Sequence, residues 1–387
     1  YSGGDGASPE TAYQIATAED LLELSLTSTD WSSYFIQVAD VIFNPDVTQI
    51  DWDGDGNLEH PGDDALGFSS IGSINNKFTG SYNGQGYTID GLYISRNSGT
   101  YTGLFGWING NEGSVIENVN LIDVEISGMK YIGGLVGICM GTEVTNCYVS
   151  GNISGDDDYV GGLIGYSIGN SNISFCHTSC NIEGYSLTGG LIGFLKDPGI
   201  VINCSATCTI EAIEGEVGGL IGQNLGQVHT SFAMGSVYGP FLSGGLIGIN
   251  EGIVNNCYAE SDASGTIMVG GLVGSNEAGE INNCFSNGLA AGQYYIGGLV
   301  GDNSSGIVAN SFWDIYSSGN SSSDGGTGKT NQQMKSIETY TNLETEGLTE
   351  PWDFIGYPFD DSGTGDNWNM VNDVLNDGYP YFSWQDS

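Results

Sequence analysis

The chain has 387 residues, with 47 Asp or Glu against 6 Lys or Arg, giving a formal net charge of −41. Neutralising phosphates or anionic lipid takes clustered cations; Lys77, Arg96, Lys130, Lys196, Lys329 and Lys335 are scattered, which excludes nucleic-acid binding and docking on an anionic membrane. No run approaches the ~18 apolar residues of a membrane span, and 39% hydrophobic residues with 21 Tyr, 14 Phe and 7 Trp oppose disorder despite the charge.

In chain order, the sequence opens at Tyr1 without Met, a charged n-region or an apolar h-region. It reads as a mature, processed chain, which points to export. Thr17-Ala-Glu-Asp20 before Leu21-Leu22 has the form of a capping box and predicts a short helix over 18–26. Asp51-Trp-Asp53-Gly-Asp55-Gly56-Asn57 matches the start of a D-x-D-x-D-G calcium loop. Oxygens at every second residue converge on one hard cation, and Gly56 permits the sharp turn. The twelfth position, where a bidentate Glu is expected, is Gly62, with Asp63 and Asp64 next to it as substitutes. The expected ligand set is Asp51, Asp53, Asp55, Asn57, Asp63 and Asp64, holding Ca²⁺ in a structural role; a merely solvated acidic loop is the alternative reading.

From residue 102 a repeat takes over. Gly-Leu-(aliphatic or Phe)-Gly recurs with its Leu at 104, 135, 163, 191, 220, 246, 272 and 299, at intervals of 26 to 31 residues. From the second copy onward it reads GGLVG or GGLIG. A second mark follows 11 to 15 residues later, at Val119, Cys147, Cys176, Cys204, Ser231, Cys257, Cys284 and Ser311. The intervening segments alternate in polarity, are rich in β-formers and are punctuated by Gly, Asn, Ser and Asp, so they predict strands. A unit this short cannot bury its own apolar side chains, so neighbouring units must stack. The expected fold is all-β: a parallel β-solenoid of about eight such coils, with leading coils before them and a short helical cap. Each Leu would enter an inward ladder, the Cys, Ser and Asn positions would form ladders of small or amide side chains, and glycine would serve corners and close backbone approach.

The coil register also weighs the candidate chemistry. Asp158, five residues before its motif Leu, would stack with Gly99, Lys130, Ser186, Gly215, Phe241, Ile267 and Tyr294. No stacked Asp pair of the kind glycoside hydrolysis needs emerges, so Asp156-Asp157-Asp158, like Asp360, Asp361 and Asp366, reads as solvated turn. Cys176/Cys204 and Cys180/Cys208 fall on adjacent coils at ~5 Å, within disulfide reach. Packed thiols are the other reading, since Ser231 and Ser311 occupy equivalent places. Cys139, just after a GLVG motif, has no counterpart in the other copies. Gly325-Gly-Thr-Gly-Lys329-Thr330 lacks the first glycine of a phosphate loop, Ser323 standing there. His60, His177 and His229 share no metal-ligand spacing. Sequons begin at Asn152, Asn172, Asn203, Asn303 and Asn320. Residues 313–387 hold Trp313, Trp352, Trp368 and Trp384 and predict a short helix over 330–337; capping and core packing compete there with a sugar-stacking platform.

The GGLVG and GGLIG copies followed by Asn-Cys-(Tyr/Phe) strands resemble the GLUG motif of bacterial and archaeal secreted and surface proteins. DGASPETAYQIATAEDLLELS and FTGSYNGQGYTIDGLYIS resemble the segments that precede such repeats; SFWDIYSSGNSSSDGGTGKTNQQMKS and DGYPYFSWQ resemble those that follow. The resemblance implies a right-handed β-helix exported from the cell, in three parts: residues 1–101 with the cap, leading coils and calcium loop; 102–312 with the GLUG coils; and 313–387, a Trp-rich capping segment. The function expected is non-catalytic: an extracellular or cell-surface module for adhesion, structure or assembly. Its partners would be an extracellular glycan, a cell-surface molecule or a further copy, with no nucleic acid and no membrane insertion. A polysaccharide-binding or polysaccharide-degrading β-helix is the alternative, glycoside hydrolysis ahead of lyase chemistry because basic residues are so few. The calcium loop predicts that Ca²⁺ raises the thermal midpoint and EGTA lowers it. An unchanged midpoint with EGTA would remove the calcium assignment.

Overall fold

Short runs in which alternate side chains point to opposite faces need a partner strand on each side, and here the coils supply them. A computed structural model describes residues 1–43, 66–110, 113–355, 367–370 and 376–386. Among them, three parallel ladders wind into a β-solenoid. The first sheet has eleven strands in unbroken chain order, from Tyr13–Ile15 through Glu143–Thr145 and Ile200–Ile202 to Ile307–Ala309. The second has eight, from Phe105–Asn109 to Val300–Asp302, each starting on the residue after a motif Leu. The third carries the long strands, such as His177–Gly184 and Ser205–Ala212, and continues across a bend into the two- to four-residue strands that end in the first motif glycine, such as Thr188–Gly189. Eleven strands span ten coil spacings, about 48 Å at ~4.8 Å each.

The motif is the joint between the third and second sheets. All eight motif Leu side chains are fully buried. The Leu backbones bond coil to coil, with Leu191 N–H donating to Leu220 O at 2.8 Å and Leu220 to Leu246 at 2.8 Å. Each buried Leu contributes roughly 1.5–3 kcal/mol. The two leading glycines are demanded by crowding between backbones. A Cβ on Gly190 would sit 2.0 Å from Gly219 O, and one on Gly189 2.1 Å from Ile192 O. Corners are made differently from the expectation. The left-handed positions belong to Asn118, Asn146, Asn203, Asn256, Asn283 and Asn310, with Phe175 and Thr230 on the two remaining coils, at one bend, and to Tyr101, Tyr131, Tyr159, Leu187, Leu242, Met268 and Tyr295 at another. Asn tolerates that conformation because its short polar side chain bonds locally. Motif glycine therefore serves close approach, and the bends fall to other residues.

Both predicted helices form. The first, α1 (Ala18–Leu26), carries the capping box between Thr17 and Asp20 and buries Leu21 and Leu24 against the first coils. The second, α2 (Asn331–Met334), is capped by Thr330 and Gln333, and a further turn, α3 (Glu338–Thr341), follows it. No helix among the described residues is long and apolar enough to cross a membrane. At the far end, Ser322 to Asp324 close the last coil. Ser322 O accepts from Gly298 N–H, Ser323 Oγ accepts from Leu299 and Val300 N–H, and Asp324 N–H donates to Val300 O.

Of the C-terminal Trp residues, Trp313 packs into the solenoid core on the last coil, against Gly298; the other three run back along the side of the solenoid. Phe232, Tyr258, Phe285 and Phe312 form an outward column on four successive coils. Trp352, Trp368, Phe382 and Trp384 cover it, with Trp352 and Trp368 fully buried. Trp352 Nε1 donates to Asn310 O at 2.9 Å, Trp368 Nε1 to Asn256 Oδ1 at 3.2 Å and Trp384 Nε1 to Thr230 O at 3.3 Å. Buried Asp314 anchors the segment by accepting from Tyr379 Oη (2.7 Å), Asn331 Nδ2 (2.9 Å) and Tyr316 N–H (2.8 Å). Glu260 lies within reach of Asp377's charge. Burial raises its carboxyl above the usual range, against the lowering effect of the Asn287 amide 3.4 Å away. A folded pKa above the unfolded ~4.3 costs nothing below the unfolded value and its full penalty above the folded one. Glu260→Gln should therefore raise the thermal midpoint at pH 7 and leave it unchanged near pH 3.5. Equal shifts at both pH values would show that the carboxyl is not the cause.

Candidate functional site

The expected calcium ligands, Asp51, Asp53, Asp55, Asn57, Asp63 and Asp64, lie outside the described residues, as do His60, Asp360, Asp361 and Asp366. Among the described residues no three His, Cys, Asp or Glu side chains gather into a metal-holding group. Asp156-Asp157-Asp158 turns a corner where Lys130, one coil away, lies 3.6 Å from Asp157 Oδ1 and 3.3 Å from Asp158 Oδ2. Burial lowers the Lys130 pKa, but the bond and charge of Asp158 overcome it and the net shift is upward. Of the residues expected to stack with Asp158, Lys130 is thus met as an ion pair.

All eight cysteines are buried and free. The second mark of the repeat is a ladder in which Cys176 N–H donates to Cys204 Sγ (3.4 Å), Cys204 N–H to Ser231 Oγ (3.1 Å) and Cys284 N–H to Ser311 Oγ (3.1 Å). Ser thus replaces Cys as the same acceptor. Cys180 N–H likewise meets Cys208 Sγ at 3.4 Å. Burial pushes the Cys139 thiol up to about 11, and those of Cys147, Cys176 and Cys257 well above their ordinary value. Thiols held neutral in this way are packing groups rather than nucleophiles. Cys139 has structural counterparts after all. Its inward column runs Ile108, Cys139, Ser167 and Leu195, then Asn224, Asn250 and Asn276. In the last part the amides chain together, Nδ2 to Oδ1 at 2.8 Å, from Asn224 through Asn250 and Asn276 to Asn303. The signal was an Asn four residues after the motif Leu in the last four copies.

Aromatic side chains outside the solenoid are largely engaged with one another. Tyr101, Tyr131 and Tyr159 stack at 5.4 and 4.9 Å, with Tyr166 edge-on to Tyr131 and Tyr159 and stacked on Phe194 at 5.2 Å. Phe232, Tyr258 and Phe285 stack at 4.8 and 5.0 Å beneath the C-terminal Trp residues. Rings whose faces meet other rings offer no face to a sugar, so these ladders are packing devices. The phosphate-loop lookalike is structural too. Thr327–Lys329 pairs with Phe312–Asp314, and Lys329 Nζ donates to Glu346 O at 2.7 Å. His177 shares a 2.8 Å hydrogen bond with Ser205 and lies tilted against Trp384, ring centres 5.7 Å apart.

The polar outer face of the third sheet is the main candidate surface. Asn181 Nδ2 donates to Asn152 Oδ1 (3.0 Å), and Asn152 Nδ2 to Glu125 Oε2 (2.9 Å). Beside them Ser154, Glu183, Glu211 and Tyr238 stand in register on successive coils. Two hollows of about 220 and 240 Å³ meet here, sharing Ser154 and Glu183. Glu183 and Glu211, both exposed, are direct partners across adjacent coils. The Asp158 register could not reveal this pair; the parallel runs Asn181-Ile-Glu183 and Thr209-Ile-Glu211 carry the signal. Strands ~4.8 Å apart place two carboxylates near the ~5–5.5 Å spacing of retaining glycosidases.

The GLUG motif is matched at residues 130–154 and 265–290. Halomucin of Haloquadratum walsbyi is 29% identical over 157 residues, 40% of this chain and 2% of that protein. A protein of Evansella cellulosilytica named "Putative Gly-rich membrane protein" is 44% identical over 55 residues, 14% of this chain and 6% of that one. The chain thus spans a small fraction of the length of these relatives. A crystal structure described as a "putative immunoglobulin A1 protease" from Bacteroides ovatus aligns with 98% of this chain and 94% of its own, at 17% identity and a TM-score of 0.48. Ladder, register and motif agree: the chain is a parallel β-solenoid built on GLUG-motif repeats.

Proposed function

We propose that this chain is a non-catalytic solenoid module, exported and acting outside the cell or at its surface in adhesion or in extracellular structure and assembly. The observation that carries the reading is how the outer side chains are used. Asn, Glu and Tyr columns bond or stack from coil to coil, which yields a stiff anionic support. A relative named as a membrane protein supports a place at the cell envelope. Ca²⁺ at Asp51, Asp53, Asp55, Asn57, Asp63 and Asp64 would relieve part of a −41 charge that otherwise repels itself. The partner would be an extracellular glycan, a cell-surface molecule or a further copy.

A second reading, glycoside hydrolysis, is favoured by the Glu183/Glu211 pair beside its hollows. A glycan array combined with chromatography of the supernatant separates the two. Retention of glycan without released oligosaccharide is the expected result. Oligosaccharide release that disappears in Glu183→Gln and Glu211→Gln would replace the non-catalytic reading with the enzymatic one.

A further inference from the structure

On a chain of charge −41, the bends of three successive coils carry no charge at all. Residues 238–250, 263–276 and 288–301 contain no Asp, Glu, Lys or Arg. The equivalent stretches of earlier coils carry Lys130, Asp156 to Asp158, Glu183, Glu211, Glu214 and Glu216. Phe241, Ile267 and Tyr294 stand in register there, in the column that holds Lys130 and Asp158 further up. Phe241 is 43% exposed, Tyr294 60% and the adjoining Tyr295 62%. Unlike the ladder aromatics, these three rings stack on no other ring among the described residues. Thr266 and Gln293 run alongside, Gln293 N–H donating to Thr266 O at 3.1 Å. The ridge therefore has aromatic rings at both ends, Ile267 between them and hydrogen-bonding side chains alongside.

We infer that this ridge is a docking site for a neutral, extended β-linked glycan, which rests on the non-catalytic reading above and gives its partner a place. Charge selects the occupant. A uronate or sulfated chain, or a second copy of this protein, would bring further negative charge to a strongly anionic body, whereas a neutral glycan meets only the uncharged strip. Spacing selects the linkage. Phe241 and Tyr294 lie two coils apart, ~9.6 Å. In a flat β-1,4-linked hexose chain alternate sugars present the same face, at a repeat close to that length. Each ring would take the apolar face of one sugar while Ile267 fills the gap between them and the Tyr294 and Tyr295 hydroxyls, Thr266 and Gln293 meet the sugar hydroxyls.

The test is calorimetric titration of the full chain with cellohexaose, alongside Phe241→Ala and Tyr294→Ala variants whose unchanged thermal midpoints certify folding. Cellohexaose should bind, polygalacturonate should not, and each substitution should weaken binding about tenfold, the size of one ring–ligand contact. Failure of cellohexaose to bind, or binding indifferent to both substitutions, would overturn the site. So would concentration-dependent sedimentation of the parent chain that the two substitutions abolish, because the ridge would then be a self-contact. Release of shorter oligosaccharides during titration is a separate outcome. It would overturn the non-catalytic reading and leave the ridge in place as the binding site.

Discussion

Everything in this molecule depends on how closely one coil's backbone lies against the next at the motif. At Gly162, Gly190, Gly219 and Gly245 a Cβ would fall 2.0–2.1 Å from the carbonyl oxygen of the following coil's glycine. No rearrangement of a side chain relieves a clash with backbone. Close approach there lets the motif Leu of each coil enter the core directly above its neighbour, where it is fully buried. The Leu column in turn fixes the register of all three sheets, because a slip of one residue would turn every inward side chain outward. Glycine supplies the contact, leucine the driving force, and register follows from both.

That constraint is periodic, which is why so much of the fold is legible in the sequence. The Leu and Cys columns, the helix capped by Thr17, the helix begun at Thr330 and the meeting of Lys130 with Asp158 all follow from local signals or from counting back to a motif. Features that break the period are not legible in that way. The inward column holding Cys139 changes from Ile to Cys to Ser to Leu before it settles on Asn, so its early members share no residue type to recognise. The bend at Tyr131 or Met268 needs a left-handed backbone, yet no turn-forming residue marks it. The C-terminal segment reaches from Trp384 to Thr230, 154 residues away. Aromatic content announces that such a segment packs but not where. Of the candidate surface, the Phe241, Ile267 and Tyr294 column was readable by register, whereas Glu183 with Glu211 lies in a different column from the Asp residues that draw attention first.

The same geometry explains how a chain of charge −41 can fold. Inward positions are apolar or neutral, so most carboxylates fall on bends and outer faces, where water and ions screen them. Many of the uncharged outer side chains are engaged in amide or aromatic ladders, or in the contact with the C-terminal Trp residues. The uncharged ridge at Phe241, Ile267 and Tyr294 departs from both habits. On an anionic surface, that departure is what singles the ridge out as the proposed glycan site.

Coil-by-coil stacking in fixed register is most directly tested by removing one coil. Deleting Gly134 to Gly161, 28 residues, joins Gly133 to Gly162 and restores an intact Gly-Gly-Leu-Ile-Gly joint. Circular dichroism followed through thermal unfolding should show a β-sheet protein with one cooperative transition. Deleting only Gly134 to Cys147, half a coil, should leave the chain unfolded or aggregated. If the whole-coil deletion fails as the half-coil deletion does, the coils are not interchangeable units and the account of the motif is wrong.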